Sequence, residues 1–244
     1  MEQVKPHKGE GHRQRLREQF LEFGLSGFKD YEVVELLLTL ATPRKDCKDI
    51  AKEVLDKFKN LPAIFEASMA ELCEIKGIGS TNVFGLKLVK SVCERYLEKK
   101  IEQTDPIINS KVLLDFLNLS IRDKAQECFN VIFLNAKNRV ISQKILFTGS
   151  LTSSFVHPRE VVREALDHKS AALILAHNHP SGDPAPSKED IAITRQIVFA
   201  CKLMDIIVHE HMVIGNNHYF SFADYGYIRQ FNQEYEQIVL KVTT

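Results

Sequence analysis

Apolar positions in the first hundred residues recur at helical spacing. In "DYEVVELLLTLA" Val33, Leu36, Leu37 and Leu40 follow that period, and in "DCKDIAKEVLDKF" Ile50, Val54, Leu55 and Phe58 do the same. Short breaks at "ATPRK" and "KNLP" cut the region into short helices, so residues 12–100 predict a small all-helical domain. The texture changes around "EKKIEQTDPIINS", where polar residues lead into Asp105–Pro106. The residue before a proline is pushed out of the helical region, which predicts a linker between a helical domain, 1–104, and a second domain, 105–244.

Beyond the linker the period shifts. "LLDFLNLSI" predicts one more helix, then "CFNVIFLN" and "RVISQKILFTG", rich in Val, Ile and Phe, flank "AKN" as a hairpin. "HPREVVREALDH" is helical, with Pro158 near its start where proline is tolerated. "AALILAHNH" is almost wholly apolar before its polar end, as in a strand buried on both faces. "KEDIAITRQIVFACKLM" predicts a helix and "DIIVHEHMVIG" a strand. This alternation predicts an α/β domain built on a mostly buried central sheet.

Composition narrows the function classes. The 32 basic and 32 acidic residues cancel, and residues 1–104 hold 18 of the former against 17 of the latter, so net charge demands neither nucleic acid nor a membrane surface. The one local excess is at the start, where Lys5, Lys8, Arg13, Arg15 and Arg17 face Glu2 and Glu10. Five scattered cysteines, an odd number with no C-x-x-C pair, argue against a disulfide framework and a thiolate zinc site and predict a reducing cytoplasm. No signal peptide or membrane span is predicted, the longest apolar run being "VVELLLTLA".

The candidate chemistry lies in "AHNHPSGDPAPSKEDIAIT", 176–194. Residues two apart on a strand share a face, so His177 and His179 project together, as two imidazoles sharing one cation must. A stiff Pro-rich loop follows, and Asp190 arrives in the first turn of the next helix as a third, anionic ligand, with Asp183 as its rival. Three protein ligands leave a fourth position to water, the arrangement of a catalytic zinc. Ser187-x-x-Asp190 equally fits a helix capping box, with both histidines as ordinary polar residues at a loop. A hydrolytic zinc site also needs a proton acceptor outside the metal's ligands, and Glu127, just before "CFNVIFLN", stands at the mouth of a buried strand. His209 and His211 share a strand face by the same period and, lacking a nearby acid at ligand spacing, are read as structural or as support for a ligand.

"HNHPSGDPAPSKED" fits the JAMM signature of the MPN metallopeptidases, H-x-H-P, six residues, S-x-x-D, at every specified position. With "QECFNVIFLNAKNRVISQKILFTGSL", "HPREVVREAL" and "GNNHYFSFADYG" around it, nearly the whole chain resembles the bacterial RadC proteins, which carry a DNA-repair label. The resemblance implies a JAMM/MPN domain with a mixed central sheet flanked by helices. It implies Zn2+ held by His177, His179 and Asp190, with Ser187 stabilising an oxyanion and Glu127 as general acid and base, although the glycines of the family's first strand are missing from "ECFNVIFL". The implied reaction is hydrolysis of an amide or isopeptide bond in a protein, peptide or small-amide substrate. Two look-alikes fall away: "HNH" spelled literally is not the dispersed HNH nuclease motif, and the zinc deaminase pattern fails for want of H-x-E and C-x-x-C.

In the helical half, Gly77-Ile78-Gly79 separates two helical stretches in "ELCEIKGIGSTNVFGLKLV" and resembles a helix-hairpin-helix, whose turn offers backbone N–H groups to a nucleic-acid phosphate. Val83 stands where that pattern usually has alanine. Lys76, Lys87 and Lys90 are the charged helpers of such a DNA contact, which a balanced net charge predicts to be weak and salt-sensitive. The competing expectation is therefore a DNA-associated accessory protein whose zinc site is structural or vestigial.

Overall fold

A computed structural model of the protein describes residues 10–42, 46–102, 110–149, 156–216 and 218–243. Lys5, Lys8, the 43–45 part of the "ATPRK" break and the Asp105–Pro106 step lie outside them. The chain divides into two compact units, Met1–Cys93 and Glu94–Thr244, and the division falls inside a helix.

The first unit comprises α1 (Glu10–Phe23), α2 (Asp30–Ala41), α3 (Lys48–Phe58), α4 (Leu61–Glu66), α5 (Met69–Cys73) and the start of α6 (Ser80–Glu102). Its core is formed by Val34, Leu38, Ala51, Val54, Ile64, Leu72, Val83 and Leu86, among others. Helix α2 lies where the spacing predicts it, but the buried stripe runs through Val34, Glu35, Leu38 and Thr39 and leaves Leu40 72% exposed. "VVELLLTLA" is apolar almost all round, so its period does not fix a face. Polar contacts with α1 do: His12 meets Glu35, and Arg13 donates to the carbonyls of Thr39 and Thr42. The short helices are bounded by their caps. The Asn60 side chain accepts from the Ala63 N–H ahead of α4, and Ser68 and Glu71 cap α5 reciprocally.

The second unit takes the rest of α6, then α7 (Ser110–Leu117), a π-helical turn (Asn118–Arg122), β1 (Cys128–Leu134), β2 (Val140–Thr148), α8 (Pro158–Asp167), β3 (Ala172–Asn178), α9 (Lys188–Lys202), β4 (Ile207–Ile214), β5 (Tyr219–Ser221) and α10 (Tyr227–Thr243). The sheet order is β2-β1-β3-β4-β5, and every pairing is antiparallel except β3 with β4. Parallel neighbours need a long crossover, and α9 supplies it. All seven residues of β1 and of β3 are buried, whereas β2 is an edge with no fully buried residue. Residues of α8, α9 and α10 cover one face, packing Val161, Ala165, Ile197, Cys201 and Phe231 onto Phe129, Val131, Leu173 and Leu175. The end of α6, α7 and the π-helical turn cover the other with Ile101, Leu113, Phe116 and Ile121. The domain is thus a mixed sheet with helices on both faces, and β5 and α10 extend the element order read from the sequence. Among the described residues no helix is long and apolar enough to cross a membrane.

One irregularity corrects the sequence reading. Leu173 of β3 pairs with Val208 of β4, but Ile174 pairs with Glu210, so His209 is an extra residue in the ladder. This bulge breaks the strict alternation on which His209 and His211 would share a face. His209 is half-buried with its Nε2 3.1 Å from Asn138 Oδ1, while His211 is fully buried on the face of Leu175 and His177. A bulge re-aims the side chains that follow it.

Candidate metal centre

Strand β3 carries His177 at its penultimate position, and the ladder continues one step past it through the His179 N–H, which donates to the Ile214 carbonyl. The two imidazoles therefore leave the sheet together, with their Nε2 atoms 3.0 Å apart. The loop that follows is fixed by close packing. Gly182, at φ +85°, has no room for a Cβ against Asn216, and a Cβ on Gly215 would strike the Gly182 carbonyl. That clamp places the Asp183 carbonyl 2.8 Å from His179 Nδ1. A carbonyl only accepts, so Nδ1 carries the proton and the Nε2 lone pair faces the site. Asp183, the rival ligand, is exposed and turns its carboxylate to the Ala185 N–H.

Asp190 reconciles the two readings of its motif. Ser187 is the N-cap of α9, its hydroxyl accepting from the Asp190 N–H at 3.0 Å. In return Asp190 Oδ2 accepts from the Ser187 N–H at 2.7 Å and from its hydroxyl at 2.6 Å. The other oxygen, Oδ1, is buried without a hydrogen-bond partner among the described residues, 3.2 Å from His177 Nε2. The capping box thus engages Oδ2 and leaves Oδ1 available to a cation. Burial opposes ionisation of Asp190, but the two imidazoles and the Ser187 hydroxyl outweigh it and keep the carboxyl well below the usual carboxylate range. Asp190 in turn pushes His179 up, against burial and with help from the Asp183 carbonyl and the charge of Glu127.

These groups fit a cation. His177 Nε2 lies 3.0 Å from His179 Nε2 and 3.2 Å from Asp190 Oδ1, while the 3.4 Å contact of His179 Nε2 with the carboxylate is to the capping oxygen, Oδ2. Tetrahedral zinc with bonds of about 2.0–2.1 Å places its ligand atoms about 3.3 Å apart. A buried carboxylate oxygen without a partner and two imidazole nitrogens facing each other are costly without a positive charge between them. The donor set, two nitrogens and one oxygen, suits zinc.

Glu127 is half-buried immediately before β1. Phe129 pairs with His177 in the antiparallel ladder, so the register continued by two pairs puts Glu127 opposite His179. The segment leading to it is pinned by Asn178, fully buried between the two histidines: its Oδ1 accepts from the Cys128 N–H at 2.7 Å, and its Nδ2 donates to the carbonyls of Lys124 and Gln126, 3.2 Å each. Two further buried groups, His211 and Thr194, stand behind His177. Sequence reasoning passed over Asn178 and Thr194. An asparagine between two ligands signals a polar task on the opposite sheet face, whereas nothing in one sequence marks Thr194. Full burial, with His177 beside it, holds His211 well below the usual histidine range, so it is neutral.

The helical unit places Gly77 at φ +99° in the turn from α5 to α6, with Lys76, Gly77 and Gly79 exposed and Ile75 and Ile78 buried. Lys87 donates to the Phe65 carbonyl at 2.6 Å and Lys90 pairs with Glu66, so both serve the fold.

A His–His–Asp set at the end of a mixed sheet, with His177 and Asp190 buried and His179 partly so, defines the class: a JAB/MPN-type domain with a candidate metal site. Residues 107–227 match a family described as the RadC-like JAB domain, and residues 11–84 match the UPF0758 N-terminal family. A UPF0758 protein of Fusobacterium nucleatum is 40% identical over 226 residues, covering 90% of this chain and 97% of that relative. The chain belongs to the RadC family.

Proposed function

We propose that the protein is a zinc-dependent hydrolase of amide or isopeptide bonds, with His177, His179 and Asp190 as the protein ligands of the metal. The observation that supports this best is the buried Asp190 Oδ1, which has no hydrogen bond among the described residues and faces His177 Nε2. Zinc there would supply Lewis-acid activation of a water and of the scissile carbonyl. Glu127, opposite His179 and outside the ligand set, takes the proton of the attacking water on its carboxylate and returns it to the departing amine nitrogen. Ser187 stands at the N-terminus of α9, where its hydroxyl and the helix N–H groups favour a developing oxyanion once the hydroxyl turns from Asp190. The substrate class is a protein, peptide or small amide, and five scattered cysteines with no C-x-x-C pair favour a reducing, cytoplasmic setting.

Metal content by mass spectrometry, on protein purified without added metal, tests the reading. About one zinc per chain in the wild type, lost in His179→Ala and Asp190→Ala, is the expected result. Glu127→Gln should keep the zinc and lose hydrolysis of a library of peptide amides and isopeptides. A wild type that binds no zinc after reconstitution would overturn the assignment.

The exposed turn at Gly77 and Gly79 favours a second reading, a DNA-associated accessory protein linked to repair with zinc in a structural role. Backbone N–H groups there, with Lys76, would meet a phosphate. This reading expects duplex binding by fluorescence anisotropy that falls with salt, survives Glu127→Gln and weakens in Lys76→Glu.

A further inference from the structure

Behind His177 runs a file of buried polar groups that the hydrolytic chemistry does not itself use. His177 Nδ1 lies 2.8 Å from His211 Nε2; His211 Nδ1 lies 2.6 Å from Thr194 Oγ1; and Thr194 Oγ1 lies 2.5 Å from the Asp190 carbonyl oxygen. His177, His211, Thr194 and Asp190 are each 0% exposed. We propose that His211 and Thr194 are positioning residues, a one-way hydrogen-bond relay that fixes His177 in the tautomer whose Nε2 lone pair faces the metal. This deepens the hydrolase reading and rests on it.

The direction of the relay follows from its far end. The Asp190 carbonyl can only accept, so the Thr194 hydroxyl donates to it. Thr194 Oγ1 is then left to accept, and its partner is the Nδ1–H of His211. A neutral imidazole has one donor and one acceptor, so His211 Nε2 carries a lone pair and accepts from His177 Nδ1–H. His177 Nε2 is thereby left without a proton, aimed at His179 Nε2 and Asp190 Oδ1. A metal-ligating histidine commonly gives its other N–H to a carboxylate, a backbone carbonyl or water. A second imidazole does that work here, and the β4 bulge at His209 brings it onto the right face. The relay also starts on the backbone of Asp190, so one file of three hydrogen bonds ties two ligands on different elements, β3 and α9, through β4. His179 has its tautomer set separately by the Asp183 carbonyl.

Long-range nitrogen–proton NMR of histidine-labelled, metal-free wild type at pH 8 reads the tautomers directly. The expected result is a proton on Nδ1 and none on Nε2 for both His177 and His211. Zinc affinity, read by competition with a chromophoric chelator, should fall about 10–100-fold in His211→Leu. His211→Gln, which restores an acceptor for His177 and a donor for Thr194, should recover most of it. Thr194→Val keeps the shape of the side chain and covers the case in which His211→Leu does not fold; its zinc affinity should fall and His211 should lose its single tautomer. A proton on His177 Nε2 in the metal-free wild type overturns the relay, as do folded His211→Leu and Thr194→Val proteins with wild-type zinc affinity. If the wild type binds no zinc, the hydrolase reading fails by itself, and the tautomers of the metal-free protein still decide the relay.

Discussion

Two asparagines on the same face of the sheet show how far a side chain's neighbours outweigh its type. Asn130 in β1 and Asn178 in β3 are both 0% exposed, yet Asn178 makes three hydrogen bonds while neither amide atom of Asn130 has a partner among the described residues. Asn130 lies in the layer of Ile132, Leu134 and Ile174, so its amide is desolvated for nothing visible in return. An unmet buried polar group costs about 1–3 kcal/mol, and replacing it by an apolar side chain of similar size removes that cost. Asn130→Leu should therefore raise the urea midpoint, by the equivalent of about 1–2 kcal/mol. Asn178→Leu should lower stability by about 2–3 kcal/mol, because it strands the Cys128 N–H and two carbonyls. Opposite signs for one chemical change are the check, and a destabilised Asn130→Leu would show that its amide is bonded after all.

At the scale of elements, periodicity placed β1, β2, β3, β4 and the helices between them, because β1 and β3 are almost wholly apolar runs and proline or glycine marks the breaks after β2 and β3. It failed where one residue shifts a register. The bulge at His209 has no signature in "DIIVHEHMVIG", and only the pairing of β3 with β4 reveals that His211 and not His209 joins the site. The faces of α2 were equally illegible, since Glu35 and Thr39 are buried by partners on another helix. The candidate site was legible because strand end, stiff loop and capped helix each leave a local mark. Cap and candidate ligand are compatible roles, as Asp190 divides its two oxygens, Oδ2 to the cap and Oδ1 toward His177. That division makes a prediction for α9: Ser187→Ala removes the cap and should cost about 1 kcal/mol by urea denaturation. Ser187→Thr should recover most of the loss. Equal losses with zinc and with chelator would mean that the serine caps the helix in both states; a loss confined to the zinc-bound protein would assign its hydroxyl to the loaded site.

For the whole molecule, the separate cores of the two units predict that metal stabilises one and not the other. A ligand that binds only the folded form adds RT ln(1 + [L]/Kd), about 2.7 kcal/mol at a hundredfold excess over Kd, and it adds this only to the unit that unfolds with the site. Calorimetry should show two transitions, of which zinc raises one. The cysteines report the same thing residue by residue. Cys73 and Cys93 are exposed and should alkylate promptly in the native protein, whereas Cys47 lies buried in the helical unit and Cys128 and Cys201 in the sheet domain. Burial pushes the Cys201 thiol up to about 12, so it presents almost no thiolate at neutral pH until its unit opens. With zinc at a hundred times Kd, alkylation of Cys128 and Cys201 should slow about 100-fold, because labelling follows the opened fraction, while Cys47 keeps its chelator rate. Mass spectrometry of the labelled peptides separates the outcomes. Protection shared by Cys47 would mean that α6, which runs through the division, couples the two units into one cooperative fold; protection of none of the three would mean that the His177, His179 and Asp190 site does not hold zinc at all.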